Sequence, residues 1–220
     1  MTKRLETVCS HLTRARVFAD IGCDHGYCTQ YMFAHDLCGK AYISDISAHS
    51  LEKAAALMQD EVKAGRCIPV VANGMEGIKE PCDLVLIAGM GGEEIVKILE
   101  KVPLPEKFVL QPMKNSEKVR RFLVERGARI ECDYTFEDGN FYDMIVGCGT
   151  GGDEYTDHEY RHGRDNLKSP SPAFVHKLKH DINNYRTALS SSVFQGARRD
   201  EVRRKLHELE GILDAITGNI

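Results

Sequence analysis

Apolar residues in the first two thirds of the chain come in short runs separated by stretches of helical period. Val17-Phe18-Ala19-Asp20-Ile21-Gly22 reads as a first strand and its exit, Ala41-Tyr42-Ile43-Ser44-Asp45 as a second, and Ile68-Pro69-Val70-Val71-Ala72 as a third. Asp83-Leu84-Val85-Leu86-Ile87-Ala88 and Phe108-Val109-Leu110-Gln111 supply a fourth and a fifth. Ser47 can cap an intervening helix that carries Leu51, Ala54, Ala55, Met58 and Val62 on one face. Asn115 or Ser116 can cap another, with Val119, Phe122 and Leu123 on its apolar face and Gly127 as its stop. Strands alternating with helices in this way predict βαβ units and a mostly parallel sheet.

Two further strands follow without a helix between them. Residues 128–136 and 141–146 flank Glu137-Asp138-Gly139-Asn140, and together they predict a hairpin. Residues 147–171 are rich in Gly, Asp, His and Pro and read as a linker. Beyond it the period changes. Val175, Leu178, Ile182, Tyr185 and Leu189 form one heptad seam, and Val202, Leu206, Leu209, Leu213 and Ile216 form a second. The short segment 190–196 between them forces the two helices antiparallel, so each seam can cover the other. The expected organisation is a catalytic domain over 1–150, a linker over 151–170 and a helical hairpin over 171–220.

Composition narrows the class of protein without naming a function. The chain has 220 residues, 42% hydrophobic and 28% charged, enough for one full α/β core and a smaller appendage. No apolar run reaches the length of a membrane span, and the charged start Met1-Thr2-Lys3-Arg4 lacks a signal-peptide core. The eight cysteines include no C-x-x-C pair, so they predict reduced core thiols in a cytoplasmic protein and no metal. A net charge of −4 does not argue for a nucleic-acid partner. From Asp153 onward eleven Lys/Arg balance eleven Asp/Glu, which permits a local basic face and nothing stronger.

The first chemical signal is Asp20-Ile21-Gly22-Cys23-Asp24-His25-Gly26, placed after a strand and opening a helix. Gly22 permits a tight turn and lets the backbone approach a ligand. Asp45 then ends the second strand, twenty-five residues after Asp20, where a carboxylate can bind both hydroxyls of a ribose. NAD sites share that geometry, but no G-x-G-x-x-G and no second dinucleotide half are present, so S-adenosylmethionine fits better. Asn73-Gly74-Met75 follows the third strand, where a polar residue can meet an adenine amino group. Ala88-Gly89-Met90-Gly91-Gly92 follows the fourth, its glycines leaving the pocket floor open and Met90 free to cover a ring. Gln111-Pro112-Met113-Lys114-Asn115 ends the fifth and faces the same crevice. Five βα units closed by a hairpin whose last strand enters antiparallel resemble the Rossmann-like sheet of class I methyltransferases.

The motifs together resemble the bacterial tRNA adenine-N1 methyltransferases that modify position 22, the TrmK type. The matching segments are Arg4-Leu5, Asp20-Ile21-Gly22 with Asp24-His25 and Tyr27, Ser44-Asp45-Ile46, Gly89-Met90-Gly91-Gly92, Leu110-Gln111-Pro112 and Phe141-Tyr142. The resemblance is full length, because that family also carries a C-terminal helical hairpin. This chain departs from the pattern at Asn73 and Met75, where the family has D-G-L, and at Gly26, Cys28 and Thr29. Met113-Lys114 also interrupts an expected Gln-Pro-Asn.

The resemblance implies S-adenosyl-L-methionine as cofactor, held by Asp20, Gly22, Asp45, Ile46, Asn73, Gly74, Gly89 and Met90. It implies methyl transfer to adenine N1 of an unpaired or flipped-out nucleotide, because N1 is engaged in a base pair. The methylated ring gains a positive charge, which places Asp24 as its electrostatic stabiliser or, alternatively, as a cofactor-loop residue. His25 would orient the base or take a proton from N6 afterwards. Tyr27 or Tyr142 would stack on the base, with Gln111 and Pro112 beside it. Arg198, Arg199, Arg203 and Arg204 would grip tRNA phosphates, although interleaved acids such as Asp200 and Glu201 also fit a solvated coiled-coil exterior. A monomer is favoured. The rival readings are a methyltransferase of a protein or small molecule and a non-catalytic adaptor.

Overall fold

The computed structural model describes residues 1–190 and 195–218. Seven strands form one sheet: β1 (Ala15–Ile21), β2 (Cys38–Asp45), β3 (Cys67–Val71), β4 (Leu84–Met90), β5 (Lys107–Pro112), β6 (Ala128–Asp138) and β7 (Asn140–Gly151). Their order is β3-β2-β1-β4-β5-β7-β6. The first five run parallel, and β7 inserts antiparallel between β5 and β6. The order reverses between β1 and β4, so their carboxyl ends diverge and leave a crevice.

Helices cover both faces. On one side lie α1 (Lys3–Ser10), α2 (Tyr27–Ala34), α3 (Ala48–Leu57) and α4 (Gln59–Lys63); on the other lie α5 (Gly92–Leu99) and α6 (Ser116–Glu125). The pleat of β1 divides its side chains between these layers. Val17, Ala19 and Ile21 pack with Ile95, Leu99, Val119 and Leu123, whereas Phe18 packs with Val8, Leu12, Cys28 and Met32. Asp20 shares the Phe18 face and is therefore carried into the layer beneath α2.

Two elements differ from the sequence expectation. The helix capped by Ser47 breaks at Met58, whose φ of −120° and ψ of 35° are not helical, and resumes as α4. Residues 151–170, expected as a linker, carry α7 (Asp157–His162) and α8 (Arg164–Lys168). A capping box between Thr156 and Glu159 starts α7. What holds these short helices is a polar cluster with no periodic signature. Arg120 of α6 is fully buried and donates to Asp133 of β6 at 2.9 and 3.0 Å, with Asp143 of β7 3.2 Å away. The same Asp133 accepts from Tyr155 and from the Arg164 backbone, and Asn166 bonds Thr135. Removing one partner of such a buried ion pair costs about 3–5 kcal/mol, because the other charge is left uncompensated.

The tail forms α9 (Pro172–Ser190) and α10 (Gly196–Thr217). Arg199 bonds the Leu189 carbonyl and Arg186 bonds Glu210, so partner numbers fall along α9 as they rise along α10. The helices are thus antiparallel. The connection expected over 190–196 lies partly outside the described residues, at 191–194. The buried seam is Phe174, Leu178, Ile182, Leu209 and Ile212. Val175 is only half-buried, and Phe174 takes its place because α9 also packs on β6 and β7. A helix wedged between a partner and a sheet buries a broader stripe than a strict two-per-heptad seam. Among the described residues no helix is long and apolar enough to cross a membrane.

Candidate active site

Two adjoining cavities open at the carboxyl ends of β1, β2 and β4. One, of about 350 Å³, is lined by Asp45, Ile46, Ala72, Asn73, Gly74, Gly89 and Met90 among others. Its neighbour, of about 250 Å³, is lined by Asp20, Cys23, His25, Tyr27, Cys28 and Leu86 among others. Arg4, Gly22, Asp24 and Ala88 border both. Every residue expected to hold the cofactor, together with Asp24 and His25, lies on one of these walls.

Local backbone geometry explains the placement. Gly22 has φ of +69°, and a Cβ there would come within 2.1 Å of Met90 Cε. Only glycine therefore leaves room for Met90 to reach across the crevice. Asp24 is also left-handed, at φ 48°, uncommon outside glycine, and its side chain is 74% exposed. The chain turns at this point and projects the carboxylate into the mouth. His25 Nδ1 lies 2.8 Å from Asp24 Oδ1, and its ring stacks on Tyr27 with centroids 5.9 Å apart. The carboxylate, imidazole and phenol form one continuous polar rim.

Asp45 is oriented from two sides. Its Oδ1 accepts the Ser47 backbone N–H at 2.8 Å, and its Oδ2 accepts the Asp24 backbone N–H at 3.2 Å. Asp20 is buried beneath the turn and accepts from Thr29 Oγ1 at 2.7 Å. Burial pushes its carboxyl up to about 6, against the opposing pull of the Thr29 hydrogen bonds. Burial also pushes the Cys23 thiol up, and Cys28 is raised chiefly by its hydrogen bond with Cys9, so neither is a thiolate nucleophile.

Some expected site residues sit elsewhere. Gln111 is buried and reaches the cavities only through Arg4, whose Nη1 donates to its Oε1 at 2.9 Å. Tyr142 is likewise one step removed, with Arg4 5.8 Å over its ring. Pro112 lines a separate groove with Lys114, Phe141, Arg161 and Lys177. Gly92 does not shape the pocket floor. A Cβ there would meet the Asn115 carbonyl at 2.4 Å, so its role is close packing of α5 against the 114–115 turn. Arg198, Arg199, Arg203 and Arg204 lie on the first turns of α10, where Arg203 pairs with Asp200.

Arg4 is the site residue that sequence reasoning passed over. It was visible only as part of a short N-terminal match. The backbone N–H of Arg4 is fixed by Asp138, the last residue of β6 before the hairpin turn, at 2.8 Å. The guanidinium is thereby set between both cavities and Gln111.

A seven-stranded sheet in this order, with a glycine turn after β1 and an acid after β2, defines a class I methyltransferase architecture. Residues 1–145 match the family model described as a methyltransferase domain, and the chain belongs to that family. It is 31% identical over 158 residues to a Bacillus subtilis (strain 168) protein named tRNA (adenine(22)-N(1))-methyltransferase, covering 66% of this chain and 64% of that one. The match thus spans a little under two thirds of that relative's length. Two solved structures share the fold over nearly the whole chain. One is M. capricolum TrmK in complex with S-adenosyl-homocysteine, with TM-score 0.88, 21% identity, and 98% and 99% of the two chains covered. The other is the B. subtilis m1A22 tRNA methyltransferase TrmK, with TM-score 0.85, 23% identity, and 97% and 99% covered.

Proposed function

We propose that this protein transfers a methyl group from S-adenosylmethionine to N1 of an adenine in tRNA, at position 22. The observation that carries this reading is Asp24 at the junction of two cavities, one walled by Asp45, Asn73 and Met90 and the other by Asp20, His25 and Tyr27. The relative from B. subtilis, named for this reaction, supplies the substrate and position.

The residues present fit the cofactor. Asp45, held by two backbone donors, keeps lone pairs for the ribose hydroxyls, and Asn73 stands where an adenine amino group would reach. Ile46 and Met90 offer apolar surface to the ring, and the missing side chain of Gly22 lets Met90 reach across the crevice to do so. Asp20 and Arg4 present opposite charges to the amino and carboxylate ends of the methionine moiety. When bound, the cofactor supplies an electrophilic sulfonium methyl, already activated, so the transfer itself calls for no metal.

The rim residues do the rest. Tyr27 offers a stacking face, 44% exposed, to an adenine turned out of its helix. Asp24 faces the ring as it becomes cationic, and a carboxylate within the mouth stabilises the transition state more than the neutral ground state. Asp24 Oδ1 and His25 together can accept an N6 hydrogen bond and then a proton. The 1–150 region would be the catalytic domain and the 171–220 hairpin the tRNA grip, with Arg198, Arg199, Arg203 and Arg204 on phosphates. A cytoplasmic location follows from a tRNA substrate. Transfer of label from S-adenosylmethionine to unmodified tRNA, with identification of 1-methyladenosine, tests the proposal.

A further inference from the structure

We propose that His158, His162 and Glu208 form a binding site for one divalent transition-metal ion such as Zn²⁺, which clips the C-terminal helix α10 onto α7. His158 and His162 are four residues apart on α7, so their imidazoles share one face of the helix. Their rings stack with centroids 6.4 Å apart. Glu208 comes from α10, and the three donor atoms lie within 4.8 Å of one another.

The distances suit one ion. His158 Nδ1 is 3.6 Å and His162 Nε2 is 3.3 Å from the same oxygen, Glu208 Oε1. A tetrahedral ion bound at roughly 2.0–2.1 Å keeps its ligand atoms roughly 3.4 Å apart. Two of the three separations are already near that value, and small side-chain rotations close the third. Two imidazoles and one carboxylate, with a water in the fourth position, are a donor set that zinc accepts, whereas calcium and magnesium favour oxygen donors only.

At present a cation of the protein holds the carboxylate. Arg161 Nη1 lies 2.7 Å from Glu208 Oε1 and 2.9 Å from Oε2. The Arg161 side chain is 37% exposed and can swing out to water, so it competes with the ion without blocking it permanently. Removing Arg161 should therefore strengthen metal binding at this site. The site also has a mechanical meaning, since Glu208 joins the helical hairpin to a helix fixed on α6 and α8.

The full-length protein, its thiols kept reduced, is titrated with Zn²⁺ by calorimetry and with Co²⁺ by absorbance. We expect one equivalent bound with a nitrogen–oxygen rather than a thiolate spectrum. His162→Ala and Glu208→Gln should each weaken it by roughly 100-fold or more, beyond the 10–100-fold that loss of an outer-shell partner costs. Arg161→Met should tighten it, and His207→Ala, an exposed neighbour, should leave it unchanged. Metal should raise the melting temperature of the wild type and not of His162→Ala. Stoichiometric binding that survives both His158→Ala and His162→Ala, a thiolate spectrum, or no binding by either wild type or Arg161→Met would each overturn the proposal.

Discussion

The backbone N–H of Asp24 donates to Asp45 Oδ2 at 3.2 Å, which ties the turn at the end of β1 to the acid at the end of β2. Two carboxylates proposed for different tasks are therefore one mechanical unit. Asp45→Ala should weaken S-adenosylmethionine binding by about 1–3 kcal/mol, the range for losing a charged hydrogen-bond partner. Calorimetry on the folded variant checks this, and unchanged affinity would remove Asp45 from the site.

Asp24 allows function to be separated from folding. Asn tolerates the left-handed backbone that Asp24 adopts and matches its size. Asp24→Asn should lower turnover by about 10²-fold, the scale for one lost electrostatic stabiliser, with cofactor affinity little changed. Asp24→Gly should be equally inactive yet at least as stable, because glycine adopts that φ without strain. A parallel fall in cofactor affinity and rate in Asp24→Asn would make this a binding-loop residue instead.

Asp20 predicts a pH dependence whose sign is fixed. Its carboxyl sits near 6 in the folded protein, above its ordinary 3.8, because it is buried. The proton it holds favours folding at low pH. That contribution is fully present below about 3.8 and is lost as pH rises through 6. A cationic amino group arriving beside Asp20 favours the ionised form, so cofactor binding should release a proton and tighten as pH rises from 5 to about 7. Calorimetry of Asp20→Asn against the wild type isolates this residue. Identical pH slopes would show that the ligand's amino group does not reach it.

Much of this architecture could be read from the chain, because it rests on repeating patterns. The short apolar runs of β1, β4 and β5 gave away the sheet, and Gly22, Asp24 and Asp45 sit at strand ends that any ligand site in this topology must use. What stayed hidden depends on single long-range contacts. Nothing near Arg4 in sequence indicates Gln111, a hundred and seven residues away. Arg120 reads as an exposed helix position until Asp133 and Asp143 close over it. The helices α7 and α8 are too short to show a period and are held by those same polar contacts. At the start of α9 Phe174 is buried in place of Val175 because a sheet as well as a helix covers it.

The tail can be tested without removing it. Arg203 and Arg204 are exposed on α10, so reversing both charges should leave the fold and cofactor binding intact. tRNA affinity should fall, and the salt dependence of binding should flatten by roughly 0.7–0.9 log unit per lost phosphate contact. Equal tRNA affinity and equal salt slopes in the two proteins would leave the hairpin a structural element.

The most direct measurement is incubation of the protein with labelled S-adenosylmethionine and two unmodified tRNAs that differ only at position 22, adenine in one and guanine in the other. Digestion and nucleoside analysis should find label as 1-methyladenosine in the first and none in the second, with the Asp24→Asn protein about 10²-fold slower. Label in both tRNAs, label on another nucleoside, or cofactor binding with no transfer at all would contradict adenine N1 at position 22 as the target.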